Sequence, residues 1–292
     1  MVSDRYVQKV LERMRVRLEV RGLKPVTVAV YLRLLARFVA HVGKPLGAVE
    51  ASDVEGYLHE LARRGRAPQS RNVILASLRL AFRTLLRRDP TAGIPQAKVP
   101  RYMPAILSGS EVRRLLEATT SLKYRAIFML LYGAGLRVSE AISLETGDIN
   151  SERMLIHVRE GKTGARYVMM SPRLLATLRA YWRQFRPTGP RLFPGQGTEV
   201  ADPHLTRKAV HKVLAKVVRA AGIGKRVSAH TLRHSFATHL LDAGADVRTV
   251  QVLLGRAHIE STTTYLHLTT ARLRKVPSPL DLIATEPERL LG

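Results

Sequence analysis

The chain has 292 residues, 46% hydrophobic and 24% charged, which supplies two cores of ordinary size and excludes a chain that stays mostly unfolded. Its 48 Lys and Arg against 23 Asp and Glu leave a formal charge of +25, an excess that repels itself unless a polyanion balances it, so nucleic acid is the first candidate partner; charge alone also fits a ribosomal or membrane-surface protein. Cysteine is absent, which removes disulfides, thiolate catalysis and Cys-based zinc sites.

The opening stretch Met1–Glu19 alternates charged with apolar residues. It reads as neither signal peptide nor membrane span, and a cytoplasmic location without membrane contact is the expectation. Up to about Arg88 apolar residues recur at helical spacing in four runs, marked by Val10 and Met14, Leu34 and Phe38, Val54 and Leu58, and Ile74 and Leu78. Breaks containing Pro25, Pro45 and Pro68 separate them, so four helices are predicted over 1–88. Arg63, Arg64, Arg66, Arg71, Arg79 and Arg83 crowd the last two runs and are candidate contacts to a phosphate backbone, although a solvated helix face explains any one of them. Residues 1–100 hold 19 basic and 8 acidic side chains and the remainder 29 and 15, so both halves are basic, at +11 and +14.

Residues 89–104 contain four prolines and almost no helical period, the composition of a linker. A second domain, predicted over 105–270, opens with a capped helix start at Ser108 to Glu111 and an apolar helix from Lys123 to about Gly133. The period then changes: Met154–Val158 and Arg166–Met170 flank the turn-like 160–164 and predict a β-hairpin. Helical spacing returns over 172–185, 205–221 and 231–254, which gives a mixed, mainly helical domain followed by a polar tail, 271–292.

Three basic features of this domain bear on phosphate chemistry: Gly135-Leu-Arg-Val-Ser-Glu140, the turn lysine Lys162, and His230-Thr-Leu-Arg-His234, with Tyr265 near the end. Attack on a phosphodiester builds negative charge on the non-bridging oxygens, which two arginines can stabilise. A deprotonated tyrosine oxygen is a competent nucleophile, and a lysine or histidine can take its proton or protonate the leaving 5′ oxygen. His230 and Arg233, at i and i+3, share a face of a helix. Taken singly, each residue also fits an ordinary packing or surface role, and spacing alone makes phosphoryl chemistry possible without requiring it.

The order of the motifs carries more. G-L-R-V-S-E, a hairpin lysine, H-x-L-R-H-x-F-A-T-H-L-L, and L-L-G followed ten residues after its glycine by a tyrosine closely resemble the catalytic domain of the tyrosine recombinases, or phage-type integrases, Xer-type members in particular. The four-helix basic region resembles the family's core-binding (SAM-like) domain. The fold this implies is mainly α with a small β-sheet: an N-terminal four-helix domain and a C-terminal mixed α+β catalytic domain. The activity implied is site-specific recombination through a 3′-phosphotyrosyl intermediate and a Holliday junction, without metal or other cofactor. Double-stranded DNA carrying recombination sites is the implied partner, with self-association into a tetramer and a paralogous recombinase as an optional companion.

By position, Arg137 and Arg233 resemble the catalytic arginines, Lys162 the general acid, His230 the histidine of the H-x-x-R box and Tyr265 the nucleophile, with Glu140 and His234 in support. Arg256 occupies the place where the family usually has His or Trp; His258 is the alternative sixth member. The apolar residues of the tail after Tyr265 suit folding back or docking on a neighbouring copy, and the resemblance favours docking in trans. Two rival readings stay open: a type IB topoisomerase-like enzyme that relaxes DNA, and a cleavage-impaired DNA-binding accessory protein, which Arg256 keeps in play.

Overall fold

A computed structural model describes residues 2–86, 88–100, 105–159, 164–195 and 205–255. The chain divides into two compact units, Met1–Tyr102 and Met103–Gly292. In the first, α1 (Asp4–Val20), α2 (Pro25–Val42), α3 (Ala51–Arg63) and α4 (Pro68–Leu85) are the four helices expected from the apolar period. Ser3 caps α1 by accepting from the Tyr6 amide, and Pro25 and Pro68 sit in first turns, where a missing N–H costs nothing. Met14, Leu18, Phe38, Leu78 and Phe82 are almost fully withdrawn from water, and Phe38 meets Tyr57 and Phe82 edge-on at centroid distances of 5.3 and 6.2 Å. By length and composition α2 passes for a membrane span. Its buried Leu34, Leu35, Phe38 and Val39 belong to the core of this unit instead.

The proline-rich stretch does not leave the first unit at once. Thr91 and Ile94 are buried, Arg79 donates to the Thr91 hydroxyl and to the carbonyls of Thr91 and Ile94, and Arg83 pairs with Asp89 at 2.7 Å. The Asn72 side chain closes a reciprocal pair with the main chain of Ala97, at 2.9 and 2.8 Å. Residues 89–97 therefore run along α4, held by polar side chains rather than by a helix of their own.

The second unit is built around α6 (Leu122–Gly133), whose residues from Ala126 to Gly133 are all buried because α8 (Pro172–Phe185) and α10 (Ala229–Asp242) pack against it. The short α5 (Gly109–Glu117) carries the predicted capping box, with Ser108 and Glu111 bonding each other's amides. After α7 (Val138–Ile142) comes an antiparallel sheet in the order β1 (Ile149–Asn150), β2 (Leu155–Val158), β3 (Arg166–Met169). The expected hairpin is β2–β3, with Ile156 opposite Val168 and Val158 opposite Arg166; β1 is an added strand. Beyond α8 and α9 (Arg207–Ala220), the helical run expected over 231–254 is two helices, α10 and α11 (Val247–Leu253). The chain turns at Gly244, whose φ of +87° no L residue adopts readily, and Asp246 caps α11 by accepting from the Thr249 amide at 2.9 Å.

Candidate active site

At the end of α6 the backbone turns through Gly135, at φ +64°, where an added Cβ would lie 2.5 Å from the ring of Phe236. Only glycine allows this approach, and the turn delivers Arg137 to the start of α7 with the Gly135 carbonyl facing α10. Glu140, one turn later, accepts the Arg137 amide at 2.8 Å and the Arg137 guanidinium at 2.7 Å. The spacing in G-L-R-V-S-E is thus a helix start whose N3 carboxylate reaches back to the residue at its cap.

Arg233 enters from α10, one turn beyond His230. It is buried, donates to the Gly135 carbonyl at 2.8 Å, and lies 3.6 Å from a Glu140 oxygen. Arg166, at the start of β3, grips Glu140 with both terminal nitrogens, at 3.0 and 2.8 Å. Glu140, 3% exposed, therefore faces three guanidinium groups. Burial by itself pushes its carboxyl pKa upward, but the Arg166 hydrogen bonds and charge, then the hydrogen bonds from the Arg137 amide and guanidinium, outweigh this and hold it at about 2. It stays ionised at any physiological pH.

The same arginines also meet the end of α11. Arg166 Nε donates to the Leu253 carbonyl at 3.0 Å, Arg233 Nη2 to that of Leu254, and Arg137 Nη2 to that of Gly255 at 3.1 Å. A helix leaves its last carbonyls without intrahelical partners and carries partial negative charge there, which suits cations. The L-L-G motif is thereby tied to the arginine cluster.

His230 lies in the first turn of α10, open to solvent, and His234 is half-buried one turn on. Partial loss of water, then the charges of Arg233, His211 and Arg137, lower the His230 pKa, so its imidazole is neutral near pH 7 and able to accept a proton. Among the described residues, no three His, Cys, Asp or Glu side chains gather as a metal site.

The structure thus brings together Arg137, Glu140, His230 and Arg233. Lys162, Arg256, His258, Tyr265 and the tail from 271 lie outside the described residues. In the first unit Arg63, Arg64 and Arg66 are exposed, with Arg64 paired to Glu60, while Arg71 is half-buried. Arg79 and Arg83 hold the 89–97 stretch, as described above. Sequence reasoning passed over Arg166. One signal was available: β3 alternates so that position 166 points the same way as the buried Val168, and a charge on such a face needs a partner.

A model of the phage integrase family matches residues 105–272, and one of the phage integrase N-terminal SAM-like domain matches residues 10–91. Tyrosine recombinase XerA of Thermococcus onnurineus is 35% identical over 280 residues, covering 95% of this chain and 97% of that protein. Tyrosine recombinase XerD of Listeria monocytogenes is 34% identical over 274 residues, covering 88% and 92%. Among solved structures, a lambda integrase tetramer bound to a Holliday junction superposes with a TM-score of 0.69 at 18% identity, over 88% of this chain and 80% of that one, a likeness of fold.

Proposed function

We propose, because the chain belongs to the phage integrase family and is a Xer-like, site-specific tyrosine recombinase, that it cuts and rejoins DNA strands through a covalent link to Tyr265. The observation that carries this reading is the convergence of Arg137 and Arg233 on one buried carboxylate, with His230 one turn before Arg233 on the same helix. In the proposed step the Tyr265 oxygen attacks the scissile phosphorus and gives its proton to His230. Arg137 and Arg233 stabilise the charge that develops on the non-bridging oxygens. The bond from phosphorus to the 5′ oxygen breaks, and Lys162 supplies the proton that leaves a free 5′ hydroxyl. A 3′-phosphotyrosyl link remains, and attack by the 5′ hydroxyl of a partner strand reverses the step.

Arg256 is proposed as a further phosphate contact. Arginine donates but does not titrate near neutrality, so it suits charge stabilisation and not proton transfer. Exchange of two strand pairs by this route passes through a Holliday junction, and a tetramer on two DNA sites is the assembly proposed. The place of action is then wherever the cell's DNA lies.

The test is a nicked suicide substrate built on a sequence selected from a random pool. Wild type should accumulate a protein–DNA adduct and Tyr265→Phe none, with unchanged binding. An adduct that persists in Tyr265→Phe would move the nucleophile elsewhere. Tight binding without any adduct would favour an accessory protein, and relaxation of supercoils without exchange between two sites would favour a topoisomerase-like role.

A further inference from the structure

We propose that Arg166 is a positioning residue: its guanidinium joins the β2–β3 hairpin, the Glu140 carboxylate that holds Arg137, and the Leu253 carbonyl at the end of α11 into one body, and so sets where the segment after Gly255 begins. The inference rests on the assignment of Arg137 and Arg233 to the phosphate.

Geometry singles out Arg166. Its two terminal nitrogens take the two oxygens of Glu140, at 3.0 and 2.8 Å, and Nε points the other way to Leu253 O at 3.0 Å. A planar fork with a third donor on its flank makes these three bonds at once; an ammonium group, a single point, does not. The side chain is 10% exposed, so the contacts are shielded from competing water.

The three consecutive carbonyls at 253, 254 and 255 are held by Arg166, Arg233 and Arg137 in turn. Two of those arginines have a second duty in the proposed reaction, since the scissile phosphate draws on their donors. When it arrives, the bonds to Leu254 and Gly255 compete with it. Arg166 has no such duty, and its bond to Leu253 keeps the helix end in register while the other two exchange partners. The residue therefore acts through Glu140 and α11, without touching the phosphate.

The experiment uses the full-length chain with Arg166→Gln and Arg166→Lys, and reads hydrogen exchange, DNA affinity and single-turnover cleavage of the suicide substrate. In Arg166→Gln, amides over 250–255 should exchange about tenfold faster or more. Cleavage should fall roughly 10²-fold, the scale of an ångström of misplacement, with DNA affinity held within about threefold. Arg166→Lys keeps a cation beside Glu140 and should recover about a tenth of wild-type cleavage while leaving the α11 end loose. Unchanged exchange together with near wild-type cleavage would overturn the proposal. So would a parallel loss of melting temperature, DNA binding and cleavage in both variants, which marks a merely structural arginine. If wild type itself forms no adduct, the cleavage reading fails, and exchange over 250–255 alone decides for or against Arg166.

Discussion

The two units use the same residue, arginine, in opposite ways. In the first, Arg63, Arg64 and Arg66 stand in solvent at the junction of α3 and α4, and Arg79 and Arg83 tie down the chain's own 89–97 stretch. In the second, three arginines from three elements close on one carboxylate and one helix end. Exposed guanidiniums act through their sum: each is screened, replaceable and tolerant of position. Buried ones act through geometry, where an ångström matters and neighbours are not additive. A net charge of +25 announces the first kind of site and is silent about the second.

The sharpest separation should come from Arg233→Ala beside a triple change of Arg63, Arg64 and Arg66 to Ala. Arg233→Ala should slow single-turnover cleavage by roughly 10²- to 10³-fold at saturating DNA, with affinity nearly unchanged. If its loss is all in affinity, the buried cluster is only another phosphate grip. Next in size, Glu140→Gln leaves three guanidiniums without their carboxylate and should cost about 3 kcal/mol in urea unfolding at pH 7. The pH dependence has a definite sign. With the folded pKa near 2 and the ordinary value at 4.5, the stability due to Glu140 is fully present above about pH 4.5 and lost as pH falls toward 2. Wild type and Glu140→Gln should therefore converge in acid; a constant gap from pH 7 to pH 2 would contradict the ion cluster.

The triple arginine variant should bind roughly tenfold more weakly and flatten the dependence of log K on log salt by about two to three, with cleavage at saturation untouched. An unaltered salt slope would remove that corner from the DNA contacts. The smallest effect concerns His230. Its lowered pKa places the acid limb of cleavage below pH 6.5, and His230→Gln should abolish that limb while leaving the rate lower throughout. A wild-type midpoint above 6.5 would mean that His230 works as a cation.

Much of this was legible in the sequence because the motifs sit at local structural punctuation. G-L-R-V-S-E encodes a turn that only glycine makes and a cap supplied by the carboxylate at the third helical position, and H-x-x-R encodes one face of one helix turn. What escaped depends on distant partners. Arg166 is unremarkable among 37 arginines until Glu140, 26 residues earlier in the chain, and Leu253, 87 residues later, are brought to it. The break between α10 and α11 hides in Ala-Gly-Ala, where a lone glycine flanked by alanines is tolerated in a continuing helix. The 89–97 stretch has a linker's composition, and the bonds that fix it come from Arg79 and Asn72, whose own sequence context says only that they lie on a helix.

The arginine cluster also has a consequence for handling the protein. Among the described residues, three cations meet one carboxylate and the main-chain dipoles at the end of α11, which concentrates positive charge there. Small tetrahedral anions carry the charge and oxygen geometry that such a field selects. Phosphate and sulfate buffers are thus expected to compete for these guanidiniums rather than act as inert solvents. The expected outcome is a lower cleavage rate in phosphate or sulfate than in chloride at equal ionic strength, since chloride has a single charge and no oxygen fork.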